Sequence, residues 1–223
     1  MDYSPIFISL KTASISIFFT FFIGLFAAKF VYSIKNQNLK IVLDGIFTLP
    51  MVLPPTVAGF FLLYILGVRR PLGSFLVENF AIKIAFSWWA TVIAAVVISF
   101  PLMYKSAKAA FEQVDDNLIY AAKTLGISEG RIFYKVLLPN ALPGILSGTI
   151  LAFARGLGEF GATAMIAGNI AGKTRTLPMA VYSSVAAGDM DTAYDYVIIL
   201  VLIAFIIIAL MNYITMSNSH KKL

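Results

Sequence analysis

Cysteine is absent from the 223 residues, and histidine occurs once, as His220 in the terminal stretch SNSHKKL. The first absence excludes disulfides, thiolate metal sites and cysteine nucleophiles. The second leaves no imidazole cluster for a metal or for acid–base catalysis. Charge is scarce as well: Asp, Glu, Lys and Arg make up 13% of the chain, about half of the roughly 25% usual in soluble domains. No G-x-x-x-x-G-K-[ST] sequence occurs, so a phosphate-cradling loop is lacking. What fills the chain instead is apolar residues, at 60%. With that composition the net charge of +6 points to Lys and Arg held on one side of a bilayer, and no nucleic-acid partner is expected.

A bilayer core about 30 Å thick is crossed by roughly 20 apolar residues of helix. Five stretches qualify, at about 12–33, 45–66, 84–104, 143–165 and 194–216. The first is too long for a signal-peptide core and follows MDYSPIFISLK, where Asp2 precedes Lys11, so it is expected to be retained. The expected fold is therefore an all-α integral membrane protein with five spans in a multi-pass transmembrane domain, 12–216. Residues 1–11 would lie outside, 105–142 form a cytoplasmic loop, and 217–223 a cytoplasmic tail. Lys and Arg set this orientation. Ten lie on the side of the 105–142 loop, Lys29 included by snorkelling, against six on the other.

Within 105–142 two short helices are legible. Asp115 and Asp116 can cap NLIYAAKTLG, which Gly126 would end in a left-handed conformation. Ser128 can cap EGRIFYKVLL, expected to end at Pro139. On the second, Ile132, Phe133, Val136 and Leu137 form an apolar stripe, which either packs on the chain's own spans or enters a groove on a cytoplasmic partner.

AAKTLGISEGRIFYKVLLPNALPGIL resembles the coupling loop of ABC-transporter permeases, whose pattern is Glu-Ala-Ala-x-x-x-Gly followed by Ile-x-Leu-Pro. Ala121, Ala122, Gly126, Val136, Leu138 and Pro139 fall at matching positions, and Ile127 follows the glycine; Tyr120 stands where Glu is usual. FARGLGEFGATAMIAGNIAGKTRTLPMAVY, LPMVLPPTVAGFFLL and FSWWATVIAAVVISFPLM are similar to permeases for tetrahedral oxyanions, and among these to the molybdate permeases. The resemblance implies a type I importer core acting as a homodimer in the cell membrane, without catalysis of its own. It implies two copies of a partner ATPase that bind ATP and magnesium and seat on the 105–142 loop. An extracytoplasmic oxyanion-binding protein would deliver molybdate, with tungstate or sulfate as alternatives. No cofactor is expected on this chain.

Two features inside the spans remain. Arg155 and Glu159 lie one helical turn apart in an apolar stretch. Each would cost about 2.5–3.5 kcal/mol unpaired near the bilayer centre. At i and i+4 they can neutralise each other, either as a buried link or as part of an anion pathway. Gly156, Gly158 and Gly161 strip side chains from the same region and admit a close neighbour. In span two, Pro50, Pro54 and Pro55 cannot share one regular helix, so a break near the cytoplasmic third is expected, either as a simple kink or lining the pathway. Trp88 and Trp89 read as anchors at the outer interface, and Gly168–Ala193 is too polar to span. A self-contained secondary transporter would show paired repeats, and a membrane enzyme a cluster of nucleophile and base. Neither is present in the sequence.

Overall fold

The computed structural model describes residues 2–220, with side chains through Tyr213. Among the described residues every regular element is helical. α1 (Ser4–Ser33) is followed by α2 (Gln37–Val52), α3 (Pro55–Leu66), a short α4 (Pro71–Phe80) and α5 (Trp88–Glu112). Then come α6 (Asp116–Thr124), α7 (Glu129–Ile132), a π-turn (Phe133–Leu137) and α8 (Leu138–Leu157). α9 (Gly161–Ile166), α10 (Leu177–Ala186) and α11 (Met190–His220) complete the order. Four helical runs are long and apolar enough to cross a membrane, and the bent pair α2/α3 makes a fifth.

The boundaries move for physical reasons. α1 begins at Ser4 rather than near 12, because Asp2 accepts the Ser4 N–H at 2.9 Å and Pro5 occupies the first turn. Lys11 does not interrupt it, since its Nζ lies 4.1 Å over the Trp88 ring. α5 starts at Trp88 and outruns 104 to Glu112. Span two is not one helix. α2 continues through Pro50, and the chain breaks at Leu53–Pro54 with a bend of 109° between α2 and α3, nearer the middle of the run than expected. Span four ends early: α8 stops at Leu157, and α9 starts afresh at Gly161. α11 takes up residues 217–220 of the expected tail, and residues 221–223 lie outside those described.

α5 is the centre of the bundle. α1 runs parallel to it, matched residue for residue: Thr12 Oγ1 lies 2.9 Å from Thr91 Oγ1, and Thr20 Oγ1 3.0 Å from Ser99 Oγ. The buried face of α1 repeats every fourth residue as Thr12, Ser16, Thr20, Gly24 and Ala28. Small residues let two helices approach closely where lipid gives no hydrophobic drive between them. The approach is closest at Gly24, where an added Cβ would sit 2.6 Å from Met103 Cγ and 3.3 Å from the Tyr104 nitrogen. Gly24→Leu should therefore destabilise by about 1–3 kcal/mol or more, as overpacking does. The check is a lower midpoint for heat-induced loss of the monodisperse peak in detergent; an unchanged midpoint contradicts it.

α8 packs on α5 in the reverse direction, Gly144 against Ala110 and Gly148 against Ser106, and also touches α1, where Gly156 lies against Ser16. α11 covers α8, with Phe153 and Leu157 meeting Leu200, Ile203 and Ile207. At the far end the start of α10 is tied to α1 by the Leu177 N–H donating to Ser9 Oγ at 2.7 Å. At the opposite end α2 is fastened to α5. Asp44 accepts from Tyr104 at 2.6 Å and pairs with Lys108 at 2.8 Å and Lys105 at 3.3 Å, and Lys40 pairs with Glu112 at 3.1 Å.

Candidate functional site

The elbow formed by α6 and α7 ends the bundle on the side where α1 finishes and α2 begins. Asp115 caps α6 by accepting the Asn117 N–H at 2.9 Å. The helix stops in a Schellman arrangement, with the Gly126 N–H donating to the Lys123 carbonyl at 2.9 Å and the Ile127 N–H to the Ala122 carbonyl at 3.2 Å. Gly126 has φ +72, the left-handed conformation its position demanded. Ser128 holds the N-cap position of α7, but its hydroxyl makes no capping bond.

The second elbow helix does not end at Pro139. The Leu138 N–H donates to the Phe133 carbonyl, five residues back, and this π-turn seats Pro139 in the first turn of α8, so Glu129–Leu157 runs on as one helical stretch. The apolar stripe is also placed differently from a partner-docking face. Ile132, Phe133 and Leu137 are buried, with the Phe133 ring 5.7 Å from that of Phe111, and Val136 is half-buried. Lys29 does not snorkel free; its Nζ lies 3.8 Å over the Phe133 ring. The large apolar side chains the elbow exposes are Leu118 at 46%, Tyr120 at 61% and Leu125 at 78% on α6 and its end, and Tyr134 at 61% on the π-turn. Of the remaining expected coupling residues, Ala121 and Gly126 are exposed and Ala122 is buried, while Ile127, Leu138 and Pro139 are half-buried. Tyr120 and Lys123 line a cavity of about 510 Å3 together with Lys29, Tyr32 and Lys35 of the α1 end.

Arg155 and Glu159 do meet. Arg155 Nη1 lies 2.8 Å from Glu159 Oε2, with the Glu side chain 1% exposed and the Arg side chain 33%. Glu159, however, sits in the break after α8 and not on a continuing helix. Its other oxygen, Oε1, accepts the Ala162 N–H at 2.7 Å and so caps the start of α9. One carboxylate thus joins the last turn of α8 to the first turn of α9. That double role was invisible in the sequence, where the pair looked like two residues of one helix.

Arg155 also borders an uncovered stripe of α8 that includes Asn140, Pro143, Ser147 and Leu151, all exposed, as is Gly158 just past its end. A stripe with an amide, a hydroxyl and a guanidinium on a spanning helix is ill suited to lipid. The middle of the exposed faces of α1 and α11, with Phe18, Phe22 and Phe26 on one and Val201, Leu202 and Phe205 on the other, is apolar and suits it well. Beside the pair, Pro54 and Pro55 open α3. An added Cβ on Gly161 would lie 2.9 Å from Pro55 Cβ, and one on Gly59 2.7 Å from Ala162 Cα. Trp88 is more than an interface anchor: it donates from Nε1 to Thr12 Oγ1 at 3.1 Å, while Trp89 is exposed.

The chain is thus a multi-pass helical bundle of the membrane-protein class, with one broken span, a charged pair at a second break and a helical elbow at one end. Residues 20–217 match the family model described as binding-protein-dependent transport system inner membrane component, and the chain belongs to that family. The molybdenum transport system permease protein ModB of Escherichia coli K12 is 44% identical over 182 residues, covering 82% of this chain and 79% of that protein. ModB of Haemophilus influenzae is 36% identical over 223 residues, 100% of this chain and 97% of that protein. In fold the chain is similar to an inward-facing structure of the MetNI methionine ABC transporter, with a TM-score of 0.76 at 20% identity over 96% of this chain and 94% of that one. The fold is that of a type I ABC importer permease.

Proposed function

We propose that this permease carries molybdate inward as a homodimer, with the pathway at the two-fold axis and the energy supplied by a separate ATPase. The observation that carries the substrate is the pair of molybdenum permeases that align over most of the chain at 36% and 44% identity. One copy offers too few spans to enclose a pathway, and closed two-fold symmetry is the common solution. The uncovered α8 stripe with Arg155 is the surface that faces the pathway. Glu159 offsets the Arg155 charge, so a dianion is guided without being trapped. The elbow end is cytoplasmic, the N-terminus outside, and the loop after α9 with α10 receives an extracytoplasmic oxyanion-binding protein.

Coupling resides in the exposed face of the elbow. Leu118, Tyr120 and Leu125 are large apolar side chains left open to solvent, the form a helix-in-groove contact takes. ATP and magnesium stay on the ATPase. Purifying the permease with its genomic neighbours tests the reading: it should bring down an ATPase whose hydrolysis is vanadate-sensitive. Leu125→Asp, at a position 78% exposed, should leave the permease folded and weaken ATPase retention by at least about tenfold. Equal retention would remove the elbow from the contact.

A further inference from the structure

α3 and α9 are both half-helices. α3 begins after the break inside the second spanning stretch, at Leu53–Pro54, and α9 after the break that ends the fourth, at Gly158–Phe160. The two breaks are neighbours, because Gly161 lies against Pro55 and Thr56. From there the half-helices run together, joined without intervening side chains where Gly59 meets Ala162 and Met165. Ala58, Ala162 and Ile166 share one apolar cluster with Leu62, Leu63 and Leu66, and that cluster touches α5 through Ala90, Ala94 and Ile98. The Phe86 N–H donates to the Ile166 carbonyl at 3.0 Å and closes the unit at its far end.

The segments on the other side of each break belong elsewhere. α2 packs by Phe47 on Phe100 and Tyr104 and is pinned through Asp44 to Lys108. The elbow half of α8 joins a separate cluster with Met103, Tyr104, Phe111 and Ile145. Gly and Pro supply the backbone changes at the breaks, and the Glu159 side chain bridges the second of them, from Arg155 to the Ala162 N–H.

We infer that α3 and α9 move as one piece, with 53–54 and 158–160 as paired hinges, and that this piece opens and closes the outer end of the pathway. The tight glycine contacts make the piece rigid, while its seat on α5 is Ala90, Ala94 and Ile98, with one large side chain to interlock. Glu159 is a positioning residue that sets the resting angle of α9 on α8. The inference rests on the permease reading above.

The chain has no cysteine, so spin labels can be placed without background, in labelled protomers diluted with unlabelled ones in the full complex with its ATPase. Three pairs are read by pulsed electron resonance in the nucleotide-free and the vanadate-trapped states. Phe61 with Ile170, in the loop just past the end of α9, reports on the piece, Ile46 with Phe61 spans the first break, and Leu151 with Ile170 spans the second. The expected result is an unchanged first distance and shifts of more than about 2 Å in the other two. A first distance that changes as much as the others overturns the rigid piece. Fixed distances across both breaks, while ATP is hydrolysed and molybdate moves, overturn the hinges and leave the permease reading intact. A complex that neither hydrolyses ATP nor moves molybdate overturns both. In Glu159→Gln the nucleotide-free Leu151–Ile170 distribution should broaden while Phe61–Ile170 stays sharp; broadening of both would make the residue merely structural.

Discussion

Gly126→Val yields a permease that inserts and dimerises, loses its ATPase on purification and takes up no molybdate. The argument starts from the backbone. Gly126 has φ +72, and an added Cβ there would meet nothing within 4 Å, so space is not the obstacle. A left-handed conformation costs an L-residue roughly 1–2 kcal/mol, and a β-branched side chain bears it worst. Relief of that strain breaks the two hydrogen bonds from Gly126 and Ile127 that close α6, and the exposed Leu118, Tyr120 and Leu125 swing away from their seat. The spans are untouched, because the buried stripe of Ile132, Phe133 and Leu137 still anchors the second elbow helix on α5. Gly126→Asn is the control: Asn tolerates the left-handed region and should restore most of the ATPase retention. Retention equal to wild type in the valine variant would show that the elbow is not the coupling element.

The second large effect belongs to Glu159. Glu159→Ala removes the partner of Arg155 and leaves the Ala162 N–H without an acceptor in a buried site. Breaking a buried ion pair costs about 3–5 kcal/mol. Arg155 keeps 33% exposure, which places the expected loss at the low end, about 3 kcal/mol. Glu159→Gln keeps the volume and one acceptor. Because the native carboxylate uses both oxygens, the amide can serve Arg155 or Ala162 but not both, and a cost of about 1–2 kcal/mol is expected. Thermal midpoints in detergent should fall in the order wild type, Gln, Ala. Equal midpoints for all three would show that the pair is not a structural link.

Much of this architecture was legible in the amino-acid sequence. Runs of apolar residues located five crossings, and Gly126 with Asp115 gave the elbow its turn and cap. Local rules succeed there because the cause is local: a cap oxygen two residues away, or a φ only glycine holds cheaply. They failed where a neighbour decides. Pro139 ought to stop a helix, yet a π-turn just before it carries the helix through. Glu159 sits four residues after Arg155 as a helix pair should, but the chain breaks between them, and only the fold shows that its second oxygen caps α9. The stripe from Ile132 to Leu137 has the periodicity of a docking face. That it turns inward follows from Phe111, far away in sequence. The α1 series Thr12, Ser16, Thr20, Gly24 did carry a signal, four-residue spacing of small side chains, which an apolar-run search passes over. Nothing local marked Asp44 as the fastening of α2 to Lys105 and Lys108.

The most direct measurement is uptake into proteoliposomes that hold the permease and its ATPase, with the oxyanion-binding protein on the outside and ATP within. Labelled molybdate should accumulate only when all three proteins and ATP are present. Vanadate should stop it, and excess unlabelled molybdate should compete far better than sulfate. Accumulation that proceeds without ATP or without the ATPase, or that sulfate abolishes while molybdate does not compete, would contradict the account.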